Sequence, residues 1–483
     1  MGRQMSTGAQ GGAQDGGPQD GGPHDGGHGE EHQPSPTSPA AEPAEDAGLP
    51  GGRALYYLTF LAIVAGIFAG FTGGAFRWVL IKADALRTDL ADWAHAHGPW
   101  AWLVPVVVSA GAAALATGIA SRWPMSAGSG IQQVEAAERA EDRAAPGTTI
   151  PARFVGGVLA IGAGGLVLGR EGPTVHIGTA FGTLVGRIGR ATLDEIRVLQ
   201  SCLAGAGLAV AFNAPIGGAV FVFEEIAHKV RLRYLIWTIA AVAAAISCSR
   251  VILGNHPDFI VQKVAEPSIA TLPLFVLFGI VIGLIGVGYN ALVVRLMGTV
   301  RGFHRLPAVA KGALIGALIG VCLVYLPDAV GGGDAVTQRM LDGQQIAFWT
   351  LTLYLALRFC SGPLSYAAGT PGGLFAPMLA LGTLSGVFFT RVVEFAGVSV
   401  DTDTRIALMM AGMAGLFAAV VRAPFTGIVL VMEMCALTSV SISMLTTALG
   451  AVIVAAALRS APVYDTLREQ MLAQEQARRL AKD

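Results

Sequence analysis

Charge is what this sequence has least of. Of its 483 residues only 13% are Asp, Glu, Lys or Arg, against 53% hydrophobic, and the mean hydropathy is +0.58. Soluble domains carry about 25% charged residues, so water is excluded as the solvent for most of the chain and the bilayer takes its place. The few acids and bases nearly cancel, at a formal net charge of −1. With no basic excess to replace condensed counterions, a nucleic-acid partner is excluded. Cysteine is scarce as well: Cys202, Cys248, Cys322, Cys360 and Cys435 stand singly in apolar stretches, with no CxxC pair. Neither a disulfide framework nor a zinc site is indicated, and the five read as small buried hydrophobes. HExxH, GxSxG and paired membrane aspartates in a suitable context are also missing, which argues against an intramembrane enzyme. Glycine (64) and proline (24) are abundant by contrast. Both are tolerated in membrane helices, where neighbours re-satisfy the freed backbone groups.

Residues 1–52 are Gly-, Pro- and Asp-rich and almost free of large apolar side chains. Such a segment cannot bury enough surface to offset its chain entropy and is expected to be disordered. His24, His28 and His32 recur in it at every fourth residue, as incidental members of a low-complexity run. No short apolar core follows a basic start, so it does not read as a signal peptide. From Arg53 apolar segments follow one another to about residue 459, several short and broken at Gly or Pro. Short, interrupted membrane segments occurring in pairs point to a transporter site near the bilayer midplane. The basic loop with Lys229, Arg231 and Arg233, and the tail with Arg468, Arg478, Arg479 and Lys482, are expected on the cytoplasmic side, placing both termini there. The expected organisation is a tail over 1–52, a membrane domain over 53–459 and a C-terminal cytoplasmic helix over 460–483.

The membrane region repeats itself. Gly169-Arg-Glu-Gly-Pro173 through Gly178-Thr179 to Gly182 reads G-x-x-x-P-x-x-x-x-G-T-x-x-G, and Gly373 through Pro377, Gly382-Thr383 and Gly386 reads the same 204 residues later. Asn213-Ala-Pro215 with Gly218 and Glu224 is answered by Arg422-Ala-Pro424 with Gly427 and Glu433, at an offset of 209. Blocks agreeing in one order define two homologous halves, about 53–255 and 265–459.

In Gly-Arg-Glu-Gly-Pro, glycines let the backbone leave helical geometry, and Pro173 suits the first turn of the helix that follows. The unpaired N–H groups of that helix start, backed by the helix dipole, face whatever lies before them. Gly373–Pro377 builds the same device from the other half. Two such N-termini converging would hold a partly dehydrated anion without a full positive charge. The alternative is that these glycines only allow close helix packing. Glu171 lies within this device, and an intramembrane carboxylate is a functional-site hypothesis by default. Ionised, it would compete with an anion; protonated, it would vacate the site. Its bland alternative is a structural pair with Arg170. Glu224 and Glu225 end an apolar run beside the basic loop, where Glu225 could hand protons inward, or both could be solvated or paired with Lys229 and Arg231.

Gly128-Ser-Gly-Ile131, Gly169-Arg-Glu-Gly-Pro173, Gly373-Leu-Phe-Ala-Pro377 and the late Tyr464 occur in the order and approximate spacing of the CLC family of chloride channels and proton-coupled chloride antiporters, which the chain resembles over about residues 55–470. Asn213-Ala-Pro215 and Gly331-Gly-Gly333 also look like this family. The resemblance implies an all-α integral membrane fold, an inverted-topology repeat with broken and re-entrant helices, and a homodimer with one anion pathway per subunit. It further implies a multi-pass protein of the inner (plasma) membrane that exchanges chloride for protons and uses no cofactor. By motif, Ser129 and Tyr464 would offer hydroxyls to a central anion, with the backbone N–H groups of Leu374 and Phe375. Backbone around Gly169, Arg170, Phe375 and Ala376 would form an outer subsite. Glu171 would be the external proton and anion gate, and Glu225 the internal proton-transfer glutamate.

Two departures stand out. Gln132 replaces the proline usual after Gly-Ser-Gly-Ile, which removes a fixed backbone angle beside Ser129. The chain also ends about 25 residues after the last apolar segment, so regulation through cytoplasmic nucleotide-binding modules is not expected. A passive chloride channel shares nearly all this machinery, and Glu225 with an intact Glu171 argues against it. A related antiporter for fluoride or nitrate is the other alternative, against which Ser129 and Glu225 lean toward chloride.

Overall fold

A computed structural model describes residues 52–228 and 232–480. The Gly/Pro/Asp-rich segment with its three histidines, and residues 229–231 of the basic loop, lie outside the described residues. Helices α1 (Gly52–Ala96) and α2 (Leu103–Arg122) lead to two short ones, α3 (Ile131–Glu138) and α4 (Thr149–Gly157). Then come α5 (Glu171–Ile188), α6 (Leu193–Phe212), α7 (Pro215–Phe221) and α8 (Leu232–Leu253). A long connection precedes α9 (Leu272–Gly302), α10 (Ala308–Tyr325), α11 (Asp334–Leu341) and α12 (Phe348–Ala367). The chain closes with α13 (Phe375–Phe395), α14 (Thr402–Val421), α15 (Pro424–Cys435), α16 (Ser441–Ala457) and α17 (Val463–Leu480).

Eight of these helices are long and apolar enough to cross a membrane. Their burial sorts them into layers. The apolar windows of α6, α13 and α14 are 89%, 78% and 94% buried, whereas those of α1, α2, α8, α9 and α10 are between 33% and 44% buried. The first group forms the interior, and the second presents Leu, Ile and Phe outward, as a surface facing lipid tails does. Helix α1 runs well beyond the apolar segment that ends near residue 82. Its charged extension has Ala or Leu at seven of the positions 83–96, and Arg87 fastens it by donating to Ile161 O (3.0 Å) and Gly162 O (2.8 Å) while pairing with Asp84. Helices α3, α11 and α17 carry too many polar residues to register as apolar segments. Cys202 and Cys435 are buried as expected; Cys248 and Cys322 are half-buried, and Cys360 on α12 is exposed, against the expectation.

The repeated glycines divide between two duties. Gly178 lies against α6, where a Cβ would collide with the Leu203 carbonyl, and Gly382 lies against α14, where it would collide with Gly412. These are packing glycines, and they let α5 close on α6 and α13 on α14. The second repeated block ends one helix and starts the next. Asn213 (φ 49°) closes α6 and Arg422 (φ 74°) closes α14 in the left-handed region, after which Pro215 and Pro424 open α7 and α15. Left-handed backbone costs a side-chain-bearing residue roughly 1–2 kcal/mol. Both side chains return something: Asn213 Nδ2 donates to His256 O, and Arg422 Nη2 to Ser460 O at 2.7 Å.

Overpacking a tight helix contact costs about 1–3 kcal/mol or more. Gly382→Val should therefore broaden or abolish the monodisperse peak of detergent-solubilised protein and lower its melting temperature. Gly298→Ala, at a position with no neighbour within 4 Å, should leave both unchanged. Equal behaviour of the two variants would contradict the packing role of Gly382.

Candidate functional site

Three loops meet near the middle of the fold and are stitched by main-chain bonds. Gly169 N donates to Gly373 O (2.8 Å) and Gly373 N to Gly169 O (2.9 Å). Gly128 N donates to Thr370 O (3.1 Å) and Gly372 N to Gly128 O (3.2 Å). Directly after these loops begin α3, α5 and α13, and the first turn of α17 brings Tyr464 against Phe375, with ring centroids 5.6 Å apart. Helix starts from four distant parts of the sequence thus surround one small volume.

The carboxylate of Glu171 occupies the start of α13. It is fully buried, and its Oε1 accepts from Phe375 N at 2.7 Å and Ala376 N at 3.4 Å, while Oε2 has no hydrogen-bond partner among the described residues. The alternative pairing with Arg170 is not what forms. Arg170 turns away, donating from Nε to Ala211 O (2.9 Å), from Nη1 to Asp334 (2.7 Å) and from Nη2 to Asp258 (3.0 Å), and Asp258 is shared with Arg77. Leu374 is the residue that caps α13, directly before the two donors.

Ser129 and Tyr464 are brought to the same place. Both are fully buried, and their hydroxyls approach one another without closing a hydrogen bond; neither has a partner among the described residues. Gly172 makes the approach possible, since a Cβ there would stand 2.7 Å from Ser129 Oγ. The Ser129 loop rests on Arg153, a buried guanidinium that donates to the carbonyls of Gly128 (2.7 Å), Ser129 (2.8 Å), Met125 (3.0 Å) and Ala127 (3.2 Å). The sequence reading passed over Arg153. Its signal was available: a lone base inside the apolar run Ala152–Val155, where a charge persists only if something consumes it.

The same device appears again before α11. Gly331 and Gly333 adopt φ of 66° and 102°, matching 66° and 98° at Gly128 and Gly130. Arg358 plays the part of Arg153, donating to Asp328 O (2.9 Å), Val330 O (2.8 Å) and Gly331 O (3.4 Å). Only the glycines and one arginine are shared in sequence, so this third matching pair was not recognised as such.

Glu224 and Glu225, adjacent in sequence, part company. They sit on the widened turn Val222–Ile226 that ends α7. Glu224 reaches the start of α15, accepting from Phe425 N (3.1 Å), Thr426 N (2.6 Å) and Thr426 Oγ1 (2.7 Å). Glu433, at the end of α15, returns to the start of α7, accepting from Ile216 N (3.1 Å) and Gly217 N (2.7 Å). The two glutamates at matching repeat positions therefore cap each other's helices. Glu225 instead is buried and turned toward Glu135 of α3, so that two carboxyls stand together. Glu135 lies 3.9 Å from Arg468 of α17, which also pairs with Asp465 (3.1 Å) and Glu141 (3.4 Å). Helix α3 is not among the spanning helices, and burial, with the Asp465 carboxylate second, pushes the Glu135 carboxyl above the usual range. Glu135 was missed because α3 is short and polar; its placement at the fifth position of the helix that follows Gly130 was the clue.

A multi-pass, all-helical membrane protein whose broken helices meet at a buried carboxylate is the class that fold and site define. A model described as voltage gated chloride channel matches residues 111–456. The H(+)/Cl(-) exchange transporter ClcA of Vibrio cholerae serotype O1 (strain M66-2) is 35% identical over 434 residues, covering 87% of this chain and 92% of that one. The protein of the same name from Salmonella agona (strain SL483) is 34% identical over 441 residues. The crystal structure of a slow cyanobacterial Cl-/H+ antiporter superposes with a TM-score of 0.81 at 31% identity, over 87% of this chain and 99% of that one. A eukaryotic CLC transporter shares the fold, with a TM-score of 0.71 at 19% identity. The chain belongs to the voltage gated chloride channel (CLC) family.

Removing a two-point helix cap costs about 0.5–2 kcal/mol. Glu224→Ala and Glu433→Ala should each lower the thermal midpoint of the purified protein by a similar amount, and the double variant should lower it further. If Glu224→Ala left the midpoint unchanged while proton movement stopped, the capping role would be wrong and Glu224 would be a proton carrier.

Proposed function

We propose that this protein exchanges chloride for protons across the membrane, with Glu171 as the protonatable outer gate. The observation that carries the reading is the Glu171 carboxylate seated on the N–H groups of Phe375 and Ala376. A carboxylate oxygen there stands where a halide would accept the same bonds, so anion and carboxylate exclude one another. Protonation removes the charge that holds the side chain in place and yields the donors to the anion. In this reading Gly169, Arg170, Phe375 and Ala376 line the outer subsite, and Ser129, Tyr464, Leu374 and Phe375 hold the central anion. The unpartnered buried hydroxyls of Ser129 and Tyr464 support that assignment, because buried hydroxyls ordinarily find partners.

Glu225, with Glu135 beside it, would receive protons from the inner side. Two buried carboxyls side by side are suited to pass a proton from one to the other, and this favours an exchanger over the passive channel. Chloride as the anion follows the named relatives and the Cl-/H+ antiporter of similar structure.

The inner side is assigned from basic residues. Arg295 and Arg301 at the end of α9, Arg305 in the connection and Lys311 at the start of α10 lie close in sequence, and Arg301 donates to Gln470 of α17 at 3.3 Å. Tyr57, near the start of α1, bonds Gly189 O between Arg187 and Arg190. Both ends of the membrane domain thus lie with the basic loops, on the cytoplasmic side of an inner (plasma) membrane. The two homologous halves, 53–255 and 265–459, are taken as its structural units. Ile216 and Phe425 are 61% and 62% exposed beside the reciprocal caps. Polar helix starts on an apolar face favour protein over lipid as the cover, and a second copy of the chain would supply it.

In reconstituted liposomes, Glu171→Gln should stop proton movement while chloride still passes, with most of the pH dependence of flux lost. Glu225→Gln should also stop proton movement but keep that pH dependence, because the gate itself still titrates. Proton pumping by Glu171→Gln would refute the gate.

A further inference from the structure

Gln132 is the departure within the loop that carries Ser129, and the structure gives it a partner. Its Nε2 donates to Tyr366 Oη at 3.3 Å, and the same oxygen accepts from Ser129 N at 3.3 Å. All three residues are buried. Tyr366 is fixed by the last turn of α12, three residues before the Gly369–Gly373 turn stitched to Gly128. There is no slack around it, since a Cβ at Gly128 would lie 3.0 Å from the phenol oxygen and 3.1 Å from the Gln132 amide.

The consequence falls on Ser129. Its carbonyl is taken by Arg153 at 2.8 Å and its amide by Tyr366. Both peptide groups of the residue are therefore held from behind, and Oγ is left as its one polar atom without a protein partner. We propose that Tyr366 and Gln132 are positioning residues of the anion site: the phenol oxygen, steadied by the Gln132 amide, withholds the Ser129 N–H from the anion and presents the hydroxyl alone. This rests on the reading of Ser129 as an anion ligand.

A single aimed hydroxyl suits a spherical halide. A planar oxyanion such as nitrate gains from two adjacent donors, one per oxygen, so freeing the Ser129 N–H would favour nitrate over chloride. The pair thereby sets selectivity as well as affinity. Gln132 acts only through the phenol. Its own backbone N–H, at the second position of α3, is kept in Gln132→Ala, so that variant tests the side-chain amide alone.

The test is calorimetric titration of chloride into the purified full-length protein, with chloride and nitrate fluxes from liposomes, for Tyr366→Phe, Gln132→Ala, the double variant and Ser129→Ala. Losing one net hydrogen bond corresponds to about a two- to tenfold change in affinity. Tyr366→Phe should weaken chloride by that factor and raise the nitrate-to-chloride flux ratio. Gln132→Ala should do the same more mildly, and the double variant should be no worse than Tyr366→Phe. A merely structural role would lower both fluxes together and leave their ratio alone. If Ser129→Ala weakens chloride while Tyr366→Phe binds like the parent, or if the two single effects add fully in the double variant, the positioning role is overturned and the ligand assignment stands. If Ser129→Ala binds chloride like the parent, the ligand assignment fails first, and the proposal with it.

Discussion

The structure turns on a negative charge held at the start of a helix without a cation in contact with it. Sealing a carboxylate away from water carries an effective penalty of several kcal/mol. Hydrogen bonds to charged groups return about 1.5–3 kcal/mol each, and the α13 dipole adds a favourable term of up to about 2 kcal/mol. The balance is close. A nearby lysine would settle it permanently in favour of the bound state, whereas backbone donors leave it balanced, as the proposed exchange between Glu171 and an anion requires.

Everything around the site follows from bringing helix starts to membrane depth. Breaking a helix in lipid exposes carbonyls and N–H groups that must find partners. The buried arginines fill that need from the cation side. Arg153 gathers four carbonyls ahead of α3, Arg358 gathers three ahead of α11, and Arg170 is divided between Ala211 O and two aspartates. Their guanidinium groups are spent on holding loops. Glu224 and Glu433 do the converse, supplying acceptors to exposed N–H groups across the two halves. Among the buried polar atoms left without a partner in the described residues, Ser129 Oγ, Tyr464 Oη and the free oxygen of Glu171 meet at this one site.

How much of this could be read from the sequence depended on the kind of constraint. Gly169–Pro173 and Gly373–Pro377 were legible because helix starts need fixed residue types at fixed spacing, and Glu171 because a carboxylate in an apolar run is costly wherever it points. The glycines of those blocks carried two meanings at one spacing. Gly178 and Gly382 serve packing, Gly172 lets Ser129 approach, and only their neighbours in space separate the roles. The correspondence of Gly128–Gly130 with Gly331–Gly333 was hidden because it lies in backbone angles. Glu135 was hidden because α3 is short and polar; Arg153 stood out as a lone base in an apolar run, but only the fold shows the four carbonyls it serves. Glu224 and Glu225 could not be told apart in sequence, since the widened turn at Val222–Ile226 decides which carboxylate faces α15 and which faces α3.

In the proposed mechanism, anion and proton occupancy are linked through one seat on α13. This linkage is tested most directly with the unmodified protein in liposomes holding a chloride gradient and no initial proton gradient. Chloride leaving down its gradient should draw protons the opposite way, building a pH difference that an added protonophore collapses. Chloride efflux of normal speed with no pH change would contradict it, and would show that the carboxylate at Phe375 and Ala376 gates a passive pathway instead.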